Sequence, residues 1–203
     1  GMLLIPGTLA TIIAGLMIAR VAVHFHPAQV VSFGLALNAA AFAVLAFLGA
    51  HHDVVIILIF IVLGTGIGIA QTISNDLMLS SVPPRKAGAA SAISETSYET
   101  GAVLGTVIIG GMLTAVYRAN VVVPSGLDES LADHAHETLG GAVTVANHVG
   151  GEQANQLLSS AFAAFDSGVV LSSAFSAVLM GVMAVISYLM IRKAPREMKP
   201  AEH

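Results

Sequence analysis

The stretch "SAISETSYETGAVLG", residues 91–105, decides how the chain is read. It lies inside an apolar run long enough to cross a membrane, yet it carries Glu95 and Glu99. The surrounding composition makes the membrane reading firm. Of 203 residues, 56% are hydrophobic and only 10% charged, and the mean hydropathy is +0.85. A soluble domain devotes about a quarter of its residues to charge. Cysteine is absent, which excludes disulfide frameworks and thiolate metal sites. A formal charge of -4, with no basic cluster interleaved with aromatics, excludes nucleic acid as a partner. The opening "GMLLIPGTLATIIAGLMIA" has neither the charged start nor the cleavage site of a secretory signal. It begins as if cut into, with Gly1-Met2 either an added start or the point where a longer parent was divided.

A transmembrane helix needs about 20 mostly apolar residues to cross a hydrocarbon core of about 30 Å. Five segments meet this, at 2–20, 28–50, 54–76, 87–117 and 168–191. The expected fold class is therefore an all-α membrane protein. Its connections alternate in charge. If the first loop, the third loop and the tail 192–203 face the cytoplasm, then Arg20, Arg85, Lys86, Arg192, Lys193, Arg196 and Lys199 all lie inside. Arg118 alone of the 8 basic residues then lies outside, a clear positive-inside bias that places the C-terminus in the cytoplasm. The outer loop 118–167 is acidic, and helical spacing at 137–148 and 151–165 predicts short helices on the outer surface. With no Trp in the chain, Tyr117, Tyr188 and Phe25 are the expected interfacial aromatics.

Counted from Lys86 at about 1.5 Å per residue, Glu95 lies about 13 Å and Glu99 about 19 Å along the fourth span. An ionised acid at that depth costs several kcal/mol unless it faces water or a partner, so such residues mark transport pathways. A spacing of four puts the two carboxyl groups on one helix face. The functional reading is that they exchange protons and attract a cationic substrate; the structural alternative is a pair of acids bonded to neighbouring helices. On a helical wheel, Ser94, Gly101 and Gly105 form a stripe about 120° from the acidic face. The G-x-x-x-G pair, Gly101 and Gly105, predicts close approach of another helix.

Other motifs carry less. "LGTGIGIAQ", residues 63–71, contains G-x-G-x-G but no preceding strand or βα unit, so its glycines are read as helix packing rather than a nucleotide loop. Asp76, at the inner end of the third span, is expected to form a structural or gating ion pair with Arg85 or Lys86. His24, His26, His51, His52 and "DHAHE" at 133–137 are read as solvated loop, because no three or four ligands converge on a metal. No nucleophile, base or metal grouping indicates an enzyme or a cofactor.

The order of these features resembles the major facilitator superfamily. The segments that carry the likeness are "LLIPGTLATIIAGLMIAR", "VLGTGIGIAQTISND" and "VPPRKAGAASAISETSYETGAVLGTVIIGG", with the long loop and the basic end that follow. Within the superfamily they are most similar to the fourteen-span drug/proton antiporters, the QacA-like and EmrB-like multidrug exporters. The resemblance covers nearly the whole chain and corresponds to spans ten to fourteen, the C-terminal part of such a transporter. It implies export of lipophilic, often cationic compounds in exchange for protons across a bacterial cytoplasmic membrane, by two helical halves rocking about a central site. The N-terminal half of the same transporter is then an implied partner, beside the lipid bilayer, the substrate and protons. It implies cation recognition at Glu95 and Glu99 and a packing role for Gly101 and Gly105. The family's inner-loop Gly-x-x-x-Asp-Arg signature corresponds to Gly15–Arg20, with Ala19 in place of Asp, which weakens the gating role implied for Arg20. The alternatives are a metabolite or siderophore exporter on the same scaffold, and a membrane subunit that transports nothing.

Overall fold

Without water to satisfy exposed backbone groups, a chain this apolar crosses a bilayer only as helices or as a closed barrel. A computed structural model describes residues 4–49 and 53–192, and every regular element among them is helical. The helices are α1 (Ile5–Val21), α2 (Pro27–Leu48), α3 (Asp53–Ser80), α4 (Ala87–Asn120), α5 (Glu129–Glu137), α6 (Leu139–Val149) and α7 (Gly151–Ile191). Short 3-10 turns at Ala22–His24 and Pro84–Lys86 precede α2 and α4. Among the described residues, five stretches are long and apolar enough to span a membrane: Ile5–His24, Pro27–Leu48, Val54–Ser80, Pro84–Asn120 and Gly151–Ile191.

Local chemistry sets several of the helix ends. Pro27 opens α2, where a missing N–H costs nothing, and His26 caps it. The Ala28 N–H donates to His26 Nδ1 at 3.2 Å, and the His26 N–H donates to Gln29 Oε1 at 3.3 Å. His26 is thus a cap rather than a solvated loop residue. Gly49, at φ 64, ends α2 in a conformation that other residues avoid. Thr138 Oγ1 accepts the Gly141 N–H at 3.0 Å and starts α6.

Three bounds differ from the sequence reading. The third helix runs on past Asp76 to Ser80. The segment 151–165 is not a separate surface helix; it is the first part of α7, which is 41 residues long. At 1.5 Å per residue α7 measures about 60 Å, twice a hydrocarbon core of about 30 Å. The "DHAHE" run belongs to α5 rather than to a loop. Leu131 and Ala135, one turn apart, face a core there, and the charged residues are left on the other side. His51, His52 and the tail residues Lys193, Arg196 and Lys199 lie outside the described residues.

The chain divides into two compact units, one drawn from Gly1–Val103 and Ala174–His203, the other Leu104–Ser173. The first is built on α3, which packs on both α1 and α2. The glycines of "LGTGIGIAQ" make this possible. A Cβ on Gly64 would strike the Gly7 carbonyl of α1, and one on Gly68 the Thr11 carbonyl. A Cβ on Gly66, about 200° round the helix from Gly64, would strike Gly34 of α2 instead. Alternate glycines therefore serve two neighbours, in keeping with small-residue packing. Ile69 and Ile73 close the seam against Val30 and Val31.

The second unit has a core of its own. Tyr117, Val145, Leu157 and Ala161 are buried in it, and the Tyr117 hydroxyl donates to the Ala135 carbonyl at 2.8 Å. Tyr117 is only 1% exposed, so it is a core residue and not an interfacial aromatic. The Val122 N–H donates to Ser160 Oγ at 2.7 Å, which ties the segment after α4 to α7. The expected outer loop is thus largely a packed helical unit.

Candidate functional site

A helix that carries hydroxyls and carboxylates through apolar surroundings has to satisfy them. In α4 much of this is done by the helix itself: Thr96 Oγ1 donates to the Ala92 carbonyl at 2.9 Å, Ser97 Oγ to Ile93 at 2.8 Å and Thr100 Oγ1 to Thr96 at 2.7 Å. Ser94 differs, because its Oγ reaches across to Asn75 Oδ1 of α3 at 3.5 Å. A carboxylate has no such internal solution, since the backbone carbonyls it meets are acceptors too.

Glu95 opens onto a cleft of about 370 Å³ within the first unit. Its wall takes Asn38 from α2, Gln71, Ser74 and Asn75 from α3, and Ser94 and Tyr98 from α4, with Leu35, Ile67 and Met180 supplying apolar surface. The size and the mixture of apolar wall with a few polar groups match small-molecule sites. Among the described residues no ion pair forms to Glu95. Asn38 is 5% exposed, and its Oδ1 has no hydrogen-bond partner among the described residues.

The expected division of α4 into an acidic face and a packing stripe changes accordingly. Ser94, assigned to the stripe, lines the cleft together with Glu95. Tyr98 falls between them on the wheel at about 100° per residue, so the cleft-facing side of α4 is centred near Tyr98. Both carboxylates are exposed, and Glu99, further round, does not line the cleft. At Gly101 and Gly105 an added Cβ would meet nothing within 4 Å, so the close approach the motif suggests is not made by the described residues. Arg20, in the last turn of α1, is exposed. Asp76 is exposed too, and no ion pair joins it to Arg85 or Lys86 among the described residues.

Four cleft residues escaped the sequence reading: Asn38, Gln71, Ser74 and Tyr98. Asn38 was the findable one. It is the most polar residue in the interior of the second span, and an intramembrane amide calls for a partner. Gln71 stands four residues before Asn75, on the same face of α3.

The cleft sits in a chain that is 41% identical over 194 residues to the multidrug efflux pump LfrA of Mycolicibacterium smegmatis, covering 95% of this chain and 38% of the pump. The chain belongs to the major facilitator superfamily. It is also 35% identical over 136 residues to the methyl viologen resistance protein SmvA of Salmonella typhimurium, covering 66% of this chain and 27% of that protein. No protein-family model matches the chain. This member of the superfamily thus spans well under half the length of the curated relatives it matches. Both relatives are efflux or resistance proteins and neither is an enzyme.

Proposed function

We propose that the chain forms the C-terminal part of a proton-coupled exporter of lipophilic cations in the bacterial cytoplasmic membrane. The observation that carries this reading is Glu95, a carboxylate within a membrane-length helix, open to a cleft and without an ion pair among the described residues. Such a group favours a cation or a proton in turn, and that alternation is what exchange requires. Tyr98 beside it offers an aromatic face, which adds cation–π attraction for an organic cation. The apolar wall suits the rest of a lipophilic molecule.

The relatives' names fit the same chemistry. LfrA is named as a multidrug efflux pump and SmvA for resistance to methyl viologen, itself a dication. The excess of Lys and Arg in alternate connections supports a cytoplasmic C-terminus and an external position for the connection 118–167. Gly101 and Gly105, open among the described residues, offer a track for a helix from the N-terminal half. The two halves would rock about the cleft to expose it to each side in turn. Glu99, one turn from Glu95, serves as an entry or relay carboxylate in this scheme, and Arg20 and Asp76 as gating residues at the inner surface.

The test is efflux of a fluorescent lipophilic cation from cells that make the transporter carrying this chain. Glu95→Gln is expected to reduce proton-driven efflux at least tenfold while membrane levels stay unchanged. Glu99→Gln is expected to reduce it less. Full efflux by Glu95→Gln would remove the basis of the reading, and loss of the folded protein would favour a structural role for the acid. The 203-residue chain in liposomes is expected to give no proton-coupled efflux on its own.

A further inference from the structure

A second groove, of about 450 Å³, lies within the first unit and shares no lining residue with the Glu95 cleft. Ile18 and Val21 of α1 and Val30 and Phe33 of α2 line its sides, with Ile69 of α3 and Phe25 of the α1–α2 connection. Phe25 is 55% and Phe33 57% exposed, so the groove opens sideways. In a membrane-spanning unit that side meets lipid tails, which are as apolar as these side chains. One end of the groove is different. Gln29 is the polar residue among those lining it, and its Oε1 accepts the His26 N–H at 3.3 Å. With the oxygen so engaged, Nε2 keeps two hydrogens to donate. Arg20 and His24, next in sequence to Val21 and Phe25, are exposed at the same end, and Arg20 forms no ion pair among the described residues. Arg20 stands about 100° from Val21 on the wheel. That is within reach for a side chain that lays its stem along apolar surface and carries its charge to the membrane boundary.

We propose that this groove holds one acyl chain of a membrane phospholipid, with the phosphate bound at the polar end by Arg20, Gln29 and His24. An apolar channel that ends in clustered donors recognises a chain carrying an anion. Arg20 supplies the charge-assisted part, since a guanidinium meets phosphate oxygens with two parallel N–H donors. Gln29 and His24 add neutral N–H donors. Basic pockets between spans at the membrane surface take phospholipid head groups in this way. Asp76 acts against the site: it is exposed, seven residues beyond Ile69 and within about 20° of the same line of α3. Its carboxylate repels a phosphate and so provides a variant of opposite sign. The connection between two spans lies at a membrane surface in either orientation, so the inference does not rest on the exporter reading.

The probes are dioleoylphosphatidylglycerol and dioleoylglycerol, which have the same two chains and differ in the phosphate head group. Binding is read by native mass spectrometry of the purified, delipidated transporter carrying this chain, as the number of lipids held over a titration in detergent. The wild type is expected to hold one phosphatidylglycerol at this site about tenfold more tightly than dioleoylglycerol, the factor one hydrogen bond to a charged group supplies. Arg20→Gln is expected to lose most of that preference. Gln29→Glu, which keeps the acceptor that caps α2 and removes the donors, is expected to lose it as well. Val21→Trp fills the groove and is expected to weaken both lipids together; Val21→Phe provides the same reading if the tryptophan variant fails to fold. Asp76→Asn is expected to tighten phosphatidylglycerol by about threefold, the scale of one exposed charge pair. Equal binding of the two lipids, a preference that survives both Arg20→Gln and Gln29→Glu, or a lipid count unchanged by both Val21 variants would overturn the proposal. Efflux of a lipophilic cation is a separate readout, so each of those results leaves the exporter reading standing.

Discussion

The glycines of α3 and those of α4 are the same residue in the same kind of helix, yet they are used in opposite ways. At Gly64, Gly66 and Gly68 a single added carbon would collide with backbone of α1 or α2. At Gly101, Gly105, Gly110 and Gly111 the same carbon would meet nothing within 4 Å among the described residues. The first set is consumed in holding three helices together. In the second, Gly101 and Gly105 leave a smooth track along a helix that also carries Ser94, Glu95 and Tyr98. A small-residue motif therefore states that close approach is possible, and only the neighbours decide whether it happens.

The largest expected effect lies on the α3 side. Gly64→Ala places a methyl group against the Gly7 carbonyl and within 2.9 Å of Thr11 Oγ1. Rigid backbone on the other side has to move, so a destabilisation of about 1–3 kcal/mol is expected. Thermal unfolding of the purified chain in lipid nanodiscs would measure it, and an unchanged midpoint would break the contrast.

Gly168→Ala gives a middle case inside the second unit. Its Cβ would sit 3.0 Å from the Leu113 carbonyl and 3.4 Å from Leu113 Cγ. A few tenths of an ångström of give by the neighbouring turn accommodates it, so a loss of about 1 kcal/mol or less is expected. The same unfolding measurement, compared with Gly64→Ala, ranks the two positions.

The smallest effect, and one of reversed sign, is expected at Gly101 and Gly105. Replacing either by Ala relieves the conformational cost of glycine in a helix interior and is expected to leave the isolated chain unchanged or up to about 1 kcal/mol more stable. Destabilisation there would mean that the track is already occupied. A sharper version uses Gly101→Leu in the transporter carrying this chain. If a helix from the N-terminal half lies on the track, efflux falls sharply while the 203-residue chain alone unfolds as before.

The candidate site was legible in the sequence in proportion to how strongly each residue violated its surroundings. Glu95 and Glu99 stood out because a charge in an apolar run is costly wherever it sits. Their spacing of four puts them on one side of α4, but only Glu95 lines the cleft, which is centred on Tyr98, nearly a third of a turn from Glu99. Asn38 carried the same signal more quietly, and Gln71 and Ser74 carried less still near the polar end of α3. The reading of 151–165 as a surface helix failed for another reason. Its polar spacing is genuine, but nothing local breaks the helix before 168, so the hydrogen-bonded ladder runs on into the span.

By itself, the sequence determined the class of the protein, the number of its membrane-length helices and the presence of a carboxylate within one of them. Those properties follow from summed transfer free energies and helix periodicity, which act along the chain. The tertiary structure alone decided which glycines meet a neighbour, that Tyr117 is core, and that Asn38, Gln71 and Glu95 share one cleft. Those depend on which faces meet in space, and residues 38, 71 and 95 are brought together only when three separate helices pack.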